Sequence, residues 1–273
     1  MNEAGKMSMM ERLDAAFDDA AFRTLALSER QKITALAERL FGELIDIVRP
    51  SVIAEVGAFE ADFSRKMHAK YQDARIYAFE ANPRVYEQFA GELLKGGITY
   101  IHVAVGASTG TVTIHVPVQI ANKAMPFVNR MASLHVVGLR DSKTTAIDVP
   151  LDTLDNLLGA EISTRRCALW IDVEGAVDQV LEGAAKTLAQ TDLVICELES
   201  SQVWNDQVLG ADIRRRLGDL GFSMVARDCQ KWFQYNAIFV RTSVLQSNAR
   251  IQERVNTCAA EALSIWNQFS PSS

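Results

Sequence analysis

From residue 51 onward the chain alternates short apolar runs with helical stretches, a rhythm that very few folds accommodate. Val52–Val56, Arg75–Phe79, Thr99–Val105, Ala168–Ile171 and Leu193–Cys196 read as buried strands. Asp62–Tyr71 reads as a helix between the first two. Between the second and third, Asn82 suits a helix cap and Pro83 the first helical position, with Val85, Phe89, Leu93 and Leu94 facing inward. Val177, Val180, Leu181, Ala184 and Leu188 make a further inward stripe between the fourth and fifth strands. Strands and helices alternating at this spacing form right-handed βαβ units. The expectation is an open, doubly wound, mostly parallel α/β sheet.

The ends depart from this rhythm. Residues 1–48 read as a helical extension, with Ile33, Leu36, Leu40, Leu44 and Ile45 on one face and Pro50 closing the pattern. After the fifth strand come a helix around Ala211–Leu220 and two strands, Ser223–Arg227 and Asn236–Val240, close enough to pair antiparallel. A final helix follows over 244–268. The stretch 106–150 holds one β-like piece, Thr111–Val116, and then an irregular run with Pro117, Pro126 and Asn129. It reads as an insertion over the strand ends, where such sheets keep their ligands. The division is therefore 1–48, an α/β domain over 49–243, and 244–273. The two helical ends are amphipathic: packing on their own domain is the default, and a homodimer the alternative.

Composition narrows the functional classes. With 28 Lys+Arg against 34 Asp+Glu the net charge is −6, which disfavours an electrostatic hold on nucleic acid or anionic lipid. No apolar stretch approaches the roughly 20 residues of a membrane span, and the acidic, interrupted start does not resemble a secretory signal. Cys167, Cys196, Cys229 and Cys258 are widely spaced and form no CxxC pair. They read as plain thiols in a reducing cytoplasm rather than as disulfides or a zinc site.

Two segments carry chemistry. In VIAEVGAFEADFS, Glu55 ends the first strand, Gly57 allows a tight turn, and Ala58 and Ala61 keep that turn small, so backbone N–H groups and a helix N-terminus can approach a ligand. IYAFEANP then places Glu80 at the tip of the second strand, 23 residues after Gly57, where an acid commonly accepts hydrogen bonds from a ribose diol. The turn lacks the GxGxxG that seats a pyrophosphate, which argues against a dinucleotide oxidoreductase. It suits a ligand without phosphates that carries an ammonium, such as S-adenosylmethionine. Any βα turn can use a lone glycine, and a strand-end acid can simply be solvated, so the weight lies in their joint spacing. In ALWIDVEGAVDQVLEGA, Asp172 and Glu174 stand at the end of the fourth strand, directly before a helix. Their plain reading is a helix cap and a first-turn acid.

Taken with VPLDTLDNLL, these segments resemble the FkbM family of S-adenosylmethionine-dependent methyltransferases over roughly residues 50–200. Family members read D-V-G-A-N-x-G, A-F-E-P-N-P, T-L-D and K-I-D-V-E-G-A-E-x-x-V-L-x-G-A, and the last block is the most specific. The stretch Met131–Leu134 is similar to the serine-containing piece that precedes T-L-D in the family. Glu55 stands for the usual Asp, Phe59 for Asn, Ala61 for Gly, Ala81 for Pro and Trp170 for Lys.

The resemblance implies a Rossmann-like sheet of the class I methyltransferase type and S-adenosylmethionine as cofactor, held by Glu55, Gly57, Ala58 and Glu80. It also implies transfer to an oxygen of a small molecule, most plausibly a sugar hydroxyl on a glycan, glycolipid or nodulation-type signal. A polyketide or other secondary metabolite is the alternative acceptor, and a non-catalytic binding protein that retains the fold is the alternative function. Asp172 is the leading catalytic candidate, as a base, an orienting acceptor or a partner for the donor's amino group. Glu174 and Glu197 are expected to face the acceptor, although Glu197 and Glu199 also read as solvated strand-end acids. His102, His115 and His135 each could be a base but read first as structural. Asp172, Glu174 and Glu197 could together hold a divalent cation, yet no spacing is diagnostic and no metal is expected.

Overall fold

The computed structural model describes residues 24–162, 166–229 and 231–269. The first 23 residues of the expected N-terminal helix lie outside the described residues. The chain forms two compact units, one over Pro50–Ile213 and one that joins Met1–Arg49 to Arg214–Ser273.

The unit over Pro50–Ile213 contains five parallel strands: β1 (Val52–Val56), β2 (Arg75–Glu80), β3 (Thr99–His102), β8 (Cys167–Ile171) and β9 (Thr191–Glu199). Their order is β3-β2-β1-β8-β9. The chain moves outward from β1 in one direction and then returns to its other side, so β1 and β8 flank the topological switch point, where sheets of this type bind ligands. Every residue of β1 and β9 is buried, as expected of strands covered on both faces. The helix α2 (Asp62–Lys70) connects β1 to β2, and α3 (Pro83–Lys95) connects β2 to β3. Asn82 caps α3 as the sequence predicts, its side chain accepting the Arg84 N–H at 3.1 Å, with proline at the first position.

The expected strand Thr99–Val105 divides. After β3 the chain turns at Val103, whose N–H donates to the Glu80 carbonyl at 3.0 Å, and β4 (Ala104–Val105) leaves the parallel sheet. It pairs with β7 (Lys143–Asp152), which pairs antiparallel with β5 (Gly110–Ile120), and β5 with β6 (Lys123–Ala124). The insertion is thus a four-stranded sheet rather than one strand and an irregular run. Its prolines concealed this: Pro117 sits beside a register shift in β5, and Pro150 pairs opposite Thr111. Ala104, Ile114, Val116 and Val149 form its core, with Leu134 and Leu151 packed against them.

The stripe after β8 also divides, into α5 (Val177–Glu182) and α6 (Ala185–Ala189). Asp155, from α4 (Leu154–Ile162), accepts the Lys186 and Thr187 N–H groups at 2.9 and 2.7 Å and so starts a second helix. Gly183 at the break admits no side chain, because a Cβ there would lie 2.0 Å from the Gly106 carbonyl oxygen.

In the other unit, α1 (Leu27–Val48) buries Ile33, Leu40, Phe41, Leu44 and Ile45. After α7 (Gly210–Asp219), β10 (Phe222–Arg227) and β11 (Gln234–Arg241) pair antiparallel as predicted. The expected final helix is two, α8 (Thr242–Ser247) and α9 (Ala249–Phe269). Extended Asn248 separates them, its side chain accepting the Arg250 and Ile251 N–H groups. Leu25, Ile33, Cys229, Ala259, Ala262 and Leu263 form one apolar cluster, and Arg39 pairs with Glu261 at 2.7 Å. Among the described residues no helix is long and apolar enough to cross a membrane.

Candidate active site

The ends of β1, β2 and β8 converge on one cleft. It is open to solvent, and Val56, Gly57, Phe79, Ala81, Val173 and Ala176 line it from the sheet side. Ile114 and Ala132–Leu134 line it from the stretch 106–150. Gly57 makes the meeting of β1 and β8 possible. Its φ is +79°, and a Cβ there would lie 1.8 Å from the Asp172 carbonyl oxygen. The Asp172 N–H donates in turn to the Val56 carbonyl at 2.8 Å.

The glycine turn differs in detail from the expectation that its N–H groups point outward. Both the Gly57 and the Ala58 N–H donate to the Phe79 carbonyl, at 3.0 and 2.9 Å. The approach to the cleft is therefore made by the small size of these residues rather than by their hydrogen bonds. Phe59 and Ala61 both have left-handed backbones, with φ of 48° and 55°. Glycine and asparagine occupy that region most easily.

Two buried carboxylates flank the turn. Glu80 accepts the Phe59 N–H at 2.8 Å on one oxygen and the Asn82 N–H at 2.7 Å on the other. Each carboxylate oxygen has a second lone pair, so Glu80 retains capacity for a diol. Burial pushes its carboxyl up to about 7, and the negative charge of Asp172 adds to the effect. Glu55 accepts the Ser64 N–H at 2.8 Å and thereby seats the N-terminus of α2, where the Ala61 cap offers no side-chain oxygen. Burial raises Glu55 to about 7 as well, again with help from Asp172.

The second acidic group stands at the tips of β8 and β9. Ile171 pairs with Cys196, which sets Asp172 beside Glu197. Asp172, Glu174 and Glu197 each bring a carboxylate oxygen within 4.8 Å of the others; Glu174 and Glu197 are buried and Asp172 is half-buried. Three oxygens are fewer than the roughly six to eight that a hard divalent cation takes, so the cluster alone does not define a metal centre. Glu174 and Gly175 both have positive φ, 43° and 79°, and a Cβ on Gly175 would meet the Trp204 ring at 2.6 Å. The glycines of IDVEGA and VLEGA are therefore packing requirements. Glu199 is buried on β9, not solvated.

The remaining candidates have mostly structural partners. His102 donates to the Ala81 carbonyl at 3.0 Å and stacks on Tyr86. The backbone of His115 bridges that of Ser133, and His135 lies 3.3 Å from the Gln179 amide. Trp170 packs on Phe63 with ring centroids 4.7 Å apart, so an aromatic contact occupies the position where the family pattern has lysine.

Sequence reasoning missed the groups that hold the site together across long separations. The Tyr100 hydroxyl donates to the Phe59 carbonyl at 2.6 Å. The Ser133 hydroxyl donates to the Glu174 carbonyl at 2.6 Å, and the Asn82 amide to the Phe127 carbonyl at 3.2 Å. Arg130 stacks over the Phe59 ring, 4.4 Å from its centroid, and pairs with Glu60. No local pattern announces such contacts. Only the serine of 131–134 had a sequence signal.

The site has the chemistry that S-adenosylmethionine requires. Its apolar lining suits a purine, Glu80 has capacity for a ribose diol, and the surrounding acids favour a ligand with a sulfonium and an ammonium.

The family model for the methyltransferase FkbM domain matches residues 51–224. No curated protein matches the chain. Among solved structures, the 1,6-didemethyltoxoflavin-N1-methyltransferase of Burkholderia thailandensis, bound to 1,6-didemethyltoxoflavin and S-adenosylhomocysteine, is 11% identical with a TM-score of 0.41. The match covers 87% of this chain and 92% of that one. Precorrin-6y C5,15-methyltransferase of Geobacter metallireducens is 14% identical with a TM-score of 0.33, over 70% and 79% of the two chains. TrmK of M. capricolum, in complex with S-adenosylhomocysteine, is 9% identical with a TM-score of 0.32, over 79% and 92%. On the match that spans its glycine turn, both acidic strand tips and the insertion, the chain belongs to the FkbM family of S-adenosylmethionine-dependent methyltransferases.

Proposed function

We propose that the chain methylates a hydroxyl oxygen, on a sugar of a glycan, glycolipid or nodulation-type signal molecule. The observation that carries this reading is the cluster of Asp172, Glu174 and Glu197 on the strand tips beside the cleft. A hydroxyl acceptor must lose a proton, and a polyol is gripped by acids that accept its hydrogen bonds. S-adenosylmethionine, when bound, supplies an activated methyl group.

The chain's own residues then do the following work. Gly57 and Ala58 let the donor approach the backbone, and Glu80 accepts the ribose hydroxyls. Glu55 supports the same turn through Ser64. Asp172 receives the acceptor's proton on its carboxylate, while Glu174 and Glu197 orient the neighbouring hydroxyls. The insertion lines the cleft through Ala132–Leu134, so its residues can contact the acceptor. The buried, unpaired thiols suit a reducing compartment, which supports a cytoplasmic place of action.

Calorimetric titration with S-adenosylmethionine and S-adenosylhomocysteine tests the donor half, and a radiolabelled methyl donor offered with sugar and polyketide acceptors tests the other. Asp172→Asn should abolish turnover while weakening donor binding far less. Equal loss of both would assign Asp172 to the donor. Failure of the native protein to bind either compound would favour a non-catalytic role.

A further inference from the structure

The donor turn contains an unresolved tension. Phe59 and Ala61 hold left-handed backbones without the side chains that favour them. Phe59 is also the residue whose N–H occupies Glu80 and whose carbonyl takes the Tyr100 hydroxyl. If its backbone relaxed to the ordinary right-handed or extended region, both bonds would be lost and Glu80 would be held by the Asn82 N–H without that of Phe59. Something outside the turn must hold it.

We infer that Arg130 is a positioning residue for the donor site: reaching across from the insertion, it holds the 57–61 turn in its left-handed form. Its guanidinium lies 4.4 Å from the Phe59 ring centroid, and the same group pairs with Glu60, the next residue. One cation thus grips two consecutive side chains of the strained turn. The arm that carries it is itself fixed. The Asn129 amide donates to the Pro117 and Pro126 carbonyls at 3.0 and 2.7 Å, and its oxygen accepts the Met131 N–H at 2.8 Å. Phe89 also makes an edge contact with the Phe59 ring, with centroids 5.5 Å apart, so the ring touches both α3 and the insertion. The planar guanidinium matters here, since it can stack flat on a ring while its in-plane N–H groups donate to a carboxylate, which a compact ammonium matches poorly.

The inference rests on the reading of this cleft as the donor site, and a double-mutant cycle separates the two. Arg130→Ala, Phe59→Asn and the double variant are compared with the native protein, both by S-adenosylhomocysteine calorimetry and by ligand-free thermal unfolding. Asparagine takes the left-handed backbone readily, so it removes the need for the clasp. Arg130→Ala alone should weaken S-adenosylhomocysteine about fivefold to tenfold and lower the melting temperature by about 2 °C. Arg130→Lys should not rescue it. In the Phe59→Asn background, Arg130→Ala should change affinity less than about twofold and leave the melting temperature in place. The same loss in both backgrounds would overturn the inference, because Arg130 would then act on the ligand or elsewhere in the fold. No loss in the native background would also overturn it. If the native protein binds no S-adenosylhomocysteine, the donor reading fails, and the ligand-free melting cycle alone decides whether the clasp exists.

Discussion

Two carboxylates buried beside the Gly57 turn should make this protein less stable as pH rises from 5 to 8. Glu55 and Glu80 are each held near 7 in the folded chain, against an ordinary value of 4.5. An acid whose pKa rises on folding stabilises the fold only while it keeps its proton. That contribution is whole below 4.5 and is lost as pH climbs through 7. At about 1.4 kcal/mol for each tenfold change in affinity for the proton, the gap is worth about 3 kcal/mol per residue. Between pH 5 and pH 8 each group should account for a loss of about 2 to 3 kcal/mol, or about 5 kcal/mol for the pair. Urea unfolding followed by circular dichroism at pH 5, 6, 7 and 8 measures the total. Glu55→Gln isolates one member, since its amide oxygen can still accept the Ser64 N–H that Glu55 accepts. The variant should show a fall smaller by about half, with most of the difference arising between pH 5 and 7. A native protein whose stability is flat or rising over that interval would refute the reasoning. So would a variant that falls as steeply as the native chain.

Gly57→Ala should destabilise the protein by about 4 kcal/mol or more, because its Cβ would lie 1.8 Å from the Asp172 carbonyl oxygen at a φ of +79°. Gly159→Ala, where nothing lies within 4 Å, should instead stabilise α4 by about 0.5 to 1 kcal/mol; urea midpoints of similar size and sign for both would contradict this account. The four cysteines are buried and unpaired, and burial raises Cys167 and Cys229 to about 12 and Cys258 to about 11. A thiol-reactive dye at pH 8 should therefore titrate none of them quickly in the native protein and all four after denaturation, and a fast-reacting native thiol would count against the burial described.

The sequence alone was sufficient for whatever depends on neighbours along the chain. The alternation of β1, α2, β2, α3 and β3 was legible because strand and helix periods differ and each element buries its own stripe. The cap at Asn82–Pro83 was legible because it is chemistry between adjacent residues. Gly57, Glu80 and Asp172 could be singled out because a strand tip followed by a turn is a local event. Residues 106–150 were only partly legible, since Pro117 and Pro150 obscure strands whose pairing partners are far along the chain, Thr144 for Pro117 and Thr111 for Pro150.

Tertiary structure decided what those residues do for one another. It showed that the Gly57 N–H belongs to Phe79, that Glu55 seats α2, and that Trp170 meets Phe63 rather than solvent. It also brought Arg130 onto Glu60 and Ser133 onto Glu174 across 70 and 41 residues respectively. Burial, charge proximity and close backbone approach are properties of space rather than of sequence separation. The family's motifs therefore marked these positions in the sequence, and packing across the cleft determined which neighbours each of them meets.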